Sequence, residues 1–261
     1  MGTPEFAVPG LQALLKSSDF EIVGVYTQPD KPVGRKMILT PPPIKTAALT
    51  KGLPIFQPEK IKAEADNIRS LKPDLIVVIA YGKIIPQTIL DIPQYGCVNV
   101  HASLLPKYRG ASCLAAPILN GDEESGVTIM KMDAGMDTGD IIKQAGIKLS
   151  AKETLSSLHD RLSALGAEIL ADTLKEYING TINPQKQDES QASYVPLIKK
   201  EDGRLQVNLS AAELERRIRA YNPWPGAFLL LNNGEKIKIL EADTEISANT
   251  GKIGEIYTKN G

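Results

Sequence analysis

The chain has 261 residues, 42% of them hydrophobic, with 30 basic against 31 acidic residues and a formal net charge of −1. That length allows one large domain plus a smaller one, and the near-neutral balance excludes recognition of nucleic acid by the field of the whole molecule, leaving only a local patch. No run of about 18 apolar residues occurs and the start lacks a charged segment followed by an apolar one, so neither membrane insertion nor secretion is expected.

Residues 8–17 are long enough for a helix and precede Glu21-Ile-Val-Gly-Val-Tyr-Thr27, whose β-branched residues predict a strand. From Lys31 to Lys45 the chain carries Lys31, Arg35, Lys36 and Lys45 and no acid, braced by Pro32 and Pro41-Pro42-Pro43. Proline-rich backbone is stiff and extended. The segment reads either as a solvated loop or as a mount that holds an arginine away from the domain. Helices are predicted over 43–51 and 60–71, then a strand at Asp74-Leu-Ile-Val-Val-Ile-Ala80. Nearly continuous apolar strands alternating with helices imply a mainly parallel open α/β sheet with flanking helices. In such sheets ligands sit beyond the carboxyl ends of strands, where Tyr81-Gly82 fall.

The next strand, Gly96 to His101, delivers Asn99 and His101 to its end before a turn at Pro106. Side chains alternate across a strand, so these two leave on one face, their Cα atoms ~7 Å apart. An amide and an imidazole aimed at one carbonyl oxygen form an oxyanion-type site; the alternative is a core pair satisfied by backbone. With two histidines in the chain, a histidine-rich metal cluster is excluded. Cys97 shares their parity but stands about 13 Å from His101 along the strand, beyond the roughly 3 Å that thiol activation requires, and reads as a small buried hydrophobe. Neither a CxxC pair nor a zinc spacing involves Cys97 or Cys113, and two cysteines fit a reducing, cytoplasmic compartment.

Val127-Thr-Ile-Met-Lys131 alternates as a strand and leads into Met132-Asp-Ala-Gly-Met-Asp-Thr-Gly-Asp140, a Gly-punctuated loop that ends at the apolar Ile141-Ile142. Its acids at 133, 137 and 140 lack the alternate oxygens, sixth-position Gly and twelfth-position Glu of an EF-hand loop, which argues against calcium. They read as turn formers or as site residues. A long helix is predicted from about Lys152 to Asn179, with Leu155, Leu158, Leu162, Leu165, Ile169 and Leu170 on one face and Gly180 as its stop. His159 falls within it as a partly exposed helix residue. Gln185 to Ser193 reads as a linker. Beyond it come a helix at Ala211–Ala220 carrying Arg216, Arg217 and Arg219 as a solvated face, and a hairpin from Ala227–Leu231 through Asn232-Asn-Gly234 to Lys236–Leu240. Trp224, between Pro223 and Pro225, reads as domain-interface packing.

Taken together, Gly2-Thr-Pro-Glu-Phe6, Thr27-Gln-Pro-Asp-Lys-Pro32, Gly34-Arg35, Leu39-Thr-Pro-Pro-Pro43, Ala80-Tyr-Gly82, Asn99-Val-His-Ala-Ser-Leu-Leu-Pro106 and Arg109-Gly110 form an ordered set of motifs. Gly126-Val-Thr-Ile-Met130, Met136-Asp-Thr-Gly-Asp140, Gln187-Asp-Glu189 and Asn222-Pro-Trp-Pro-Gly226 extend it over nearly the whole chain. In this set the sequence resembles the formyltransferases that use 10-formyltetrahydrofolate, most nearly those whose acceptor is methionyl-tRNA.

The resemblance implies a catalytic Asn99, His101 and Asp137, and a folate-contacting loop at Ser103, Leu104, Leu105 and Pro106, with Tyr81 and Gly82 beside it. It implies 10-formyltetrahydrofolate as co-substrate without a metal, and initiator methionyl-tRNA as partner, with no membrane and no obligate protein partner. It places the proline-braced loop at the tRNA acceptor end, led by Arg35 with Lys36, though Met37 and Ile38 stand where the family commonly has basic or small residues. It divides the chain into a Rossmann-like catalytic domain at 1–184, a linker at 185–196 and an incomplete OB-like barrel at 197–261. Both ends depart from the family pattern, which supplies a central strand before Gly2 and further barrel after 261, so a truncated chain is expected. Gly110-Ala-Ser-Cys-Leu-Ala-Ala-Pro117 departs as well, beside the site. The rival readings are a formyltransferase acting on an amino sugar nucleotide or on glycinamide ribonucleotide, and a non-catalytic tRNA-binding remnant.

Overall fold

The computed structural model describes residues 1–34 and 36–245, so the predicted tRNA contact Arg35 lies outside the described residues. In chain order the elements are α1 (Val8–Lys16), β1 (Val25–Tyr26), β2 (Lys31–Val33), β3 (Ile38–Thr40), α2 (Pro43–Leu49), β4 (Ile55–Phe56), α3 (Ala65–Ser70), β5 (Ile76–Val78), α4 (Gln87–Leu90) and β6 (Cys97–His101). They continue with β7 (Arg109–Gly110), α5 (Ala116–Asn120), β8 (Glu124–Lys131), β9 (Ile141–Lys148), α6 (Leu155–Ile178), β10 (Tyr194–Val195), α7 (Ala211–Ala220), β11 (Ala227–Leu230) and β12 (Lys236–Ile239). The chain forms two compact units: Met1–Gly110, Ser125–Ile147 and His159–Tyr194 make the first, and Ala111–Glu124, Lys148–Leu158 and Val195–Gly261 the second.

In the first unit β1 pairs in parallel with β4, and β5 in parallel with β6. β6 pairs antiparallel with β8, and β9 completes the four-stranded order β5-β6-β8-β9. The strands predicted at 21–27 and 74–80 are present but shorter, because a ladder extends only where a partner offers hydrogen bonds: Val25 donates to Pro54 and Thr27 to Phe56, while Glu21 to Gly24 lie outside β1. The predicted 60–71 helix is likewise divided, a 3-10 turn at Ile61–Glu64 preceding α3. β8 corrects the expected alternation: Ser125 to Met130 are buried at six consecutive positions, with Glu124 and Lys131 exposed at the ends. A strand covered on both faces has no polar side to alternate with.

The core gathers Ile68, Ile76, Val78, Tyr81, Ile89 and Cys97. Burial pushes the Cys97 thiol up to about 12, as befits a small buried hydrophobe. α6 buries Leu162, Leu170 and Leu174 completely. A Cβ on its Gly166 would come within 3.0 Å of the Val100 side chain, so the glycine lets the helix lie close against β6. Gly180, at φ +71°, stops the helix as predicted, and His159 is partly exposed and paired with Asp160 at 2.8 Å. Met1 and Gly2 run between β1 and β5: Gly2 donates to the Tyr26 carbonyl at 3.0 Å, and Ile79 donates to that of Met1 at 2.9 Å. Beside them is an apolar cavity of about 130 Å³ whose lining includes Leu11, Val23, Ile68 and Leu75.

In the second unit Leu205, Ile218 and Ala227 form a small core. Ser210 caps α7 reciprocally with Glu213. β11 and β12 pair antiparallel through a turn with Gly234 at φ +85°. Among the described residues these strands do not close a barrel. The arginines of α7 are not a simple solvated face: Arg216 donates to the Leu119 carbonyl at 3.1 Å, Arg217 to the Tyr221 hydroxyl at 3.3 Å, and Arg219 to the Glu153 carbonyl at 2.7 Å and to Glu215. Long cationic stems here serve as staples within the unit. Trp224, expected to pack, is 52% exposed; burial around it falls to Tyr221 and Ala227.

Candidate active site

β6 carries both strand-end candidates. Val78 lies opposite Asn99 on one side, and Met130 opposite Asn99 and Thr128 opposite His101 on the other. Among the described residues nothing hydrogen-bonds the Asn99 side-chain amide. His101 is buried, and its Nε2 lies 3.1 Å from the Tyr108 carbonyl oxygen. A carbonyl can only accept, so Nε2 carries the proton of that bond. Nδ1 then points to Asp137, with Oδ1 3.7 Å away. The structure thus brings His101 and Asp137 together, although 36 positions of sequence separate them. It also adds a partner absent from the sequence reading, since the ring is oriented by Tyr108 as well as by Asp137.

Asp137 adopts φ +56°, a left-handed conformation that Asp tolerates better than most residues. Its loop is pinched at the base, where Lys131 donates to the Asp140 carbonyl at 2.9 Å. A Cβ on Gly139 would meet the Lys131 carbonyl oxygen at 1.7 Å. Asp133, predicted as a turn former, accepts from the Gly135 N–H at 3.0 Å and the Thr138 hydroxyl at 2.7 Å. Asp137 Oδ2 accepts the Gly110 N–H at 2.7 Å, and Gln187 Nε2 donates at 2.8 Å to the carbonyls of both Asp137 and Gly139. Gln187 Oε1 in turn accepts from Arg109, whose guanidinium is fully buried and also pairs with Glu189 at 2.7 Å. That pairing holds the Arg109 proton more tightly and keeps the Glu189 carboxyl below its ordinary range. Gln187-Asp-Glu189 was visible as a motif, but spacing alone cannot join residues 109 and 187.

The turn after β6 is anchored by Thr128, whose hydroxyl donates to the Ser103 carbonyl at 2.7 Å and accepts from the Leu105 N–H at 3.0 Å. Gln144 donates to the Leu105 carbonyl at 2.8 Å. Ser103 and Leu105 are buried, with the Ser103 hydroxyl committed to the Lys107 carbonyl, while Leu104 and Pro106 are half-buried. Tyr81 departs from its predicted role: the residue is 1% exposed, and its ring lies in the core where burial pushes the hydroxyl up to about 12. Its carbonyl accepts from Thr3 and Gln28, and the next residue, Gly82, is exposed at φ +76°. Lys36 is exposed in the connection between β2 and β3, away from the Asn99 turn in sequence and on a hairpin whose six strand residues are all exposed.

An amide and an imidazole beside one carboxylate suit an organic carbonyl group undergoing proton-coupled attack. Among the described residues no group of three His, Cys, Asp or Glu side chains is placed to hold a metal ion. Residues 1–174 match the family model described as formyl transferase, and residues 197–261 match the formyl transferase C-terminal domain. The chain belongs to the formyl transferase family. It is 46% identical over 260 residues to a methionyl-tRNA formyltransferase of Citrifermentans bemidjiense, covering 99% of this chain and 80% of the relative. It is 47% identical over 265 residues to that of Lachnospira eligens, covering 99% and 84%. Among solved formyl transferases it resembles WlaRD, a sugar 3N-formyl transferase crystallised with dTDP and 5-N-formyl-THF, at a TM-score of 0.70 and 25% identity, covering 95% of this chain and 87% of that one. No helix among the described residues is long and apolar enough to cross a membrane.

Proposed function

We propose that this chain transfers the formyl group of 10-formyltetrahydrofolate to the α-amino group of methionine carried on initiator tRNA, a cytoplasmic step that precedes translation. The carrying observation is the approach of Asp137 Oδ1 to within 3.7 Å of His101 Nδ1 at the end of the strand that presents Asn99. The near-half identity to methionyl-tRNA formyltransferases over almost the whole chain supports this acceptor over a sugar.

An α-amino group with a pKa of about 7.7 to 8 is partly neutral at pH 7 and needs no activation by a serine or cysteine. As its nitrogen adds to the formyl carbon, negative charge builds on the formyl oxygen; as that intermediate collapses, the carbonyl re-forms, the bond from its carbon to the folate nitrogen breaks, and that nitrogen takes up the proton the amine released. Asn99 donates to that oxygen from its amide. His101, with Nε2–H given to Tyr108, turns Nδ1 toward Asp137 Oδ1, and when Nδ1 is protonated its N–H is shared between that carboxylate and the formyl oxygen. One such donor is worth about 2.7 to 4 kcal/mol in the transition state. Asp137 takes up the surplus amine proton, directly or through water, a role worth about 10² to 10⁴-fold.

Leu104 and Pro106, with Gly82, would border the folate, while Ser103 and Leu105 hold the turn in shape. Lys36, together with Arg35, would meet the tRNA on the β2–β3 hairpin. Residues 1–184 act as the catalytic domain, 185–196 as the linker, and 197–261 as an OB-like domain that supports tRNA binding. Incubation with 10-formyltetrahydrofolate and, in turn, methionyl-tRNA, glycinamide ribonucleotide and an amino sugar nucleotide tests the assignment. Formylation confined to methionyl-tRNA is expected; formylation of either small acceptor in its place overturns it.

A further inference from the structure

Arg109 is among the largest fully buried side chains of the described residues, and a guanidinium is left in an interior only when it is paired. Its five N–H groups are all used: Nε and Nη2 donate to Gln187 Oε1 at 3.1 and 2.8 Å, Nη1 and Nη2 to the Glu189 carboxylate at 2.9 and 2.7 Å, and Nη1 to the Tyr194 hydroxyl at 2.8 Å. None of these contacts goes to Asn99, His101 or Asp137. Their effect passes through Gln187. With its oxygen against a cation, the Gln187 amide has one admissible orientation, since the flipped amide would set nitrogen against guanidinium and oxygen against two carbonyls. Its Nε2 therefore faces Asp137 O and Gly139 O at 2.8 Å each.

The neighbour of Arg109 in sequence, Gly110, donates to Asp137 Oδ2 at 2.7 Å. The Asp137 loop is thus gripped twice, its backbone by Gln187 and its carboxylate by Gly110, and both grips are anchored at Arg109. A residue at φ +56° keeps that conformation only where its surroundings fix it, and here the fixing falls on the residue that faces His101 Nδ1.

We infer that Arg109 and Gln187 are positioning residues, which hold the Asp137 carboxylate in register with His101 by fixing the loop on which it stands. The inference rests on the reading of Asp137 as the proton acceptor, and a double-mutant cycle separates the two. Gln187→Glu keeps an acceptor for Arg109 and removes both donors to the loop. It is expected to lower kcat by about 10- to 100-fold, with KM for methionyl-tRNA and the thermal midpoint little changed. In an Asp137→Asn background the same substitution is expected to cost nothing more, because its effect passes through the carboxylate already removed. Should Gln187→Glu fail to fold, Gln187→Met, of similar length, enters the same cycle. Near-normal kcat in the single variant, or losses that multiply in the double variant, overturns the inference while leaving Asp137 in its role. Near-normal turnover of Asp137→Asn removes the proton-acceptor reading and the positioning role with it.

Discussion

His101 Nε2 lies 3.1 Å from the carbonyl oxygen of Tyr108, seven residues further along the same chain, and this contact decides which edge of the imidazole is left to face Asp137. Tyr108 itself holds φ +63°, so the turn from Ser103 to Gly110 is folded back on the strand that carries the histidine. A backbone carbonyl is a fixed acceptor that no side-chain substitution removes, and the ring is therefore oriented before any substrate binds.

Replacement of His101 by Ala removes the donor while leaving the turn its Thr128 and Gln144 anchors. Turnover is expected to fall by about 100-fold or more, the order associated with loss of one oxyanion donor, with affinity for the folate essentially unchanged. Single-turnover kinetics and a folate binding titration check this. Turnover close to that of the parent chain would remove His101 from the chemistry.

Two glycines separate steric from conformational demand. A Cβ on Gly139 would stand 1.7 Å from the Lys131 carbonyl oxygen, whereas one on Gly180 meets nothing within 4 Å although φ is +71°. Gly180→Ala is expected to cost about 1 kcal/mol, the conformational term alone. Gly139→Ala is expected to cost about 2 kcal/mol or more and to lower turnover, because the displaced loop carries Asp137. Urea denaturation of both variants gives the comparison; equal costs would show that the loop yields without strain.

Legibility in the sequence followed the range of the interaction. Asn99 and His101 were readable because strand parity places them on one face, and α7 and the β11–β12 hairpin were readable from Ser210, Glu213 and Asn232-Asn-Gly234, all local signals. The buried Arg109 with its partners Gln187 and Glu189 was not, since charge and spacing give no sign that residues 78 and 80 positions apart meet. The same holds for Tyr81, whose place after a strand suggests a ligand contact, while its ring is drawn into the core by packing from α3 and α4 residues such as Ile68 and Ile89. The α7 arginines misled in the opposite direction: their composition suggests a solvated surface, but the carbonyls of Leu119 and Glu153 lie within reach.

The β2–β3 hairpin exposes Val33, Met37, Ile38 and Leu39, each more than half accessible, beside the cation Lys36. A two-stranded ribbon without a covered face is marginal in isolation, and exposed apolar side chains around a cation suit a partner that offers both phosphate and apolar surface. If this partner is the tRNA acceptor end, KM for methionyl-tRNA rises steeply between about 50 and 200 mM salt, as counterion release requires. Lys36→Ala then reduces the slope of log KM against log salt by about one unit and leaves kcat nearly unchanged. Formyl transfer to a small amine, such as methionine amide, should show neither effect. A slope unaltered by Lys36→Ala would move the phosphate contact away from the lysine of this hairpin.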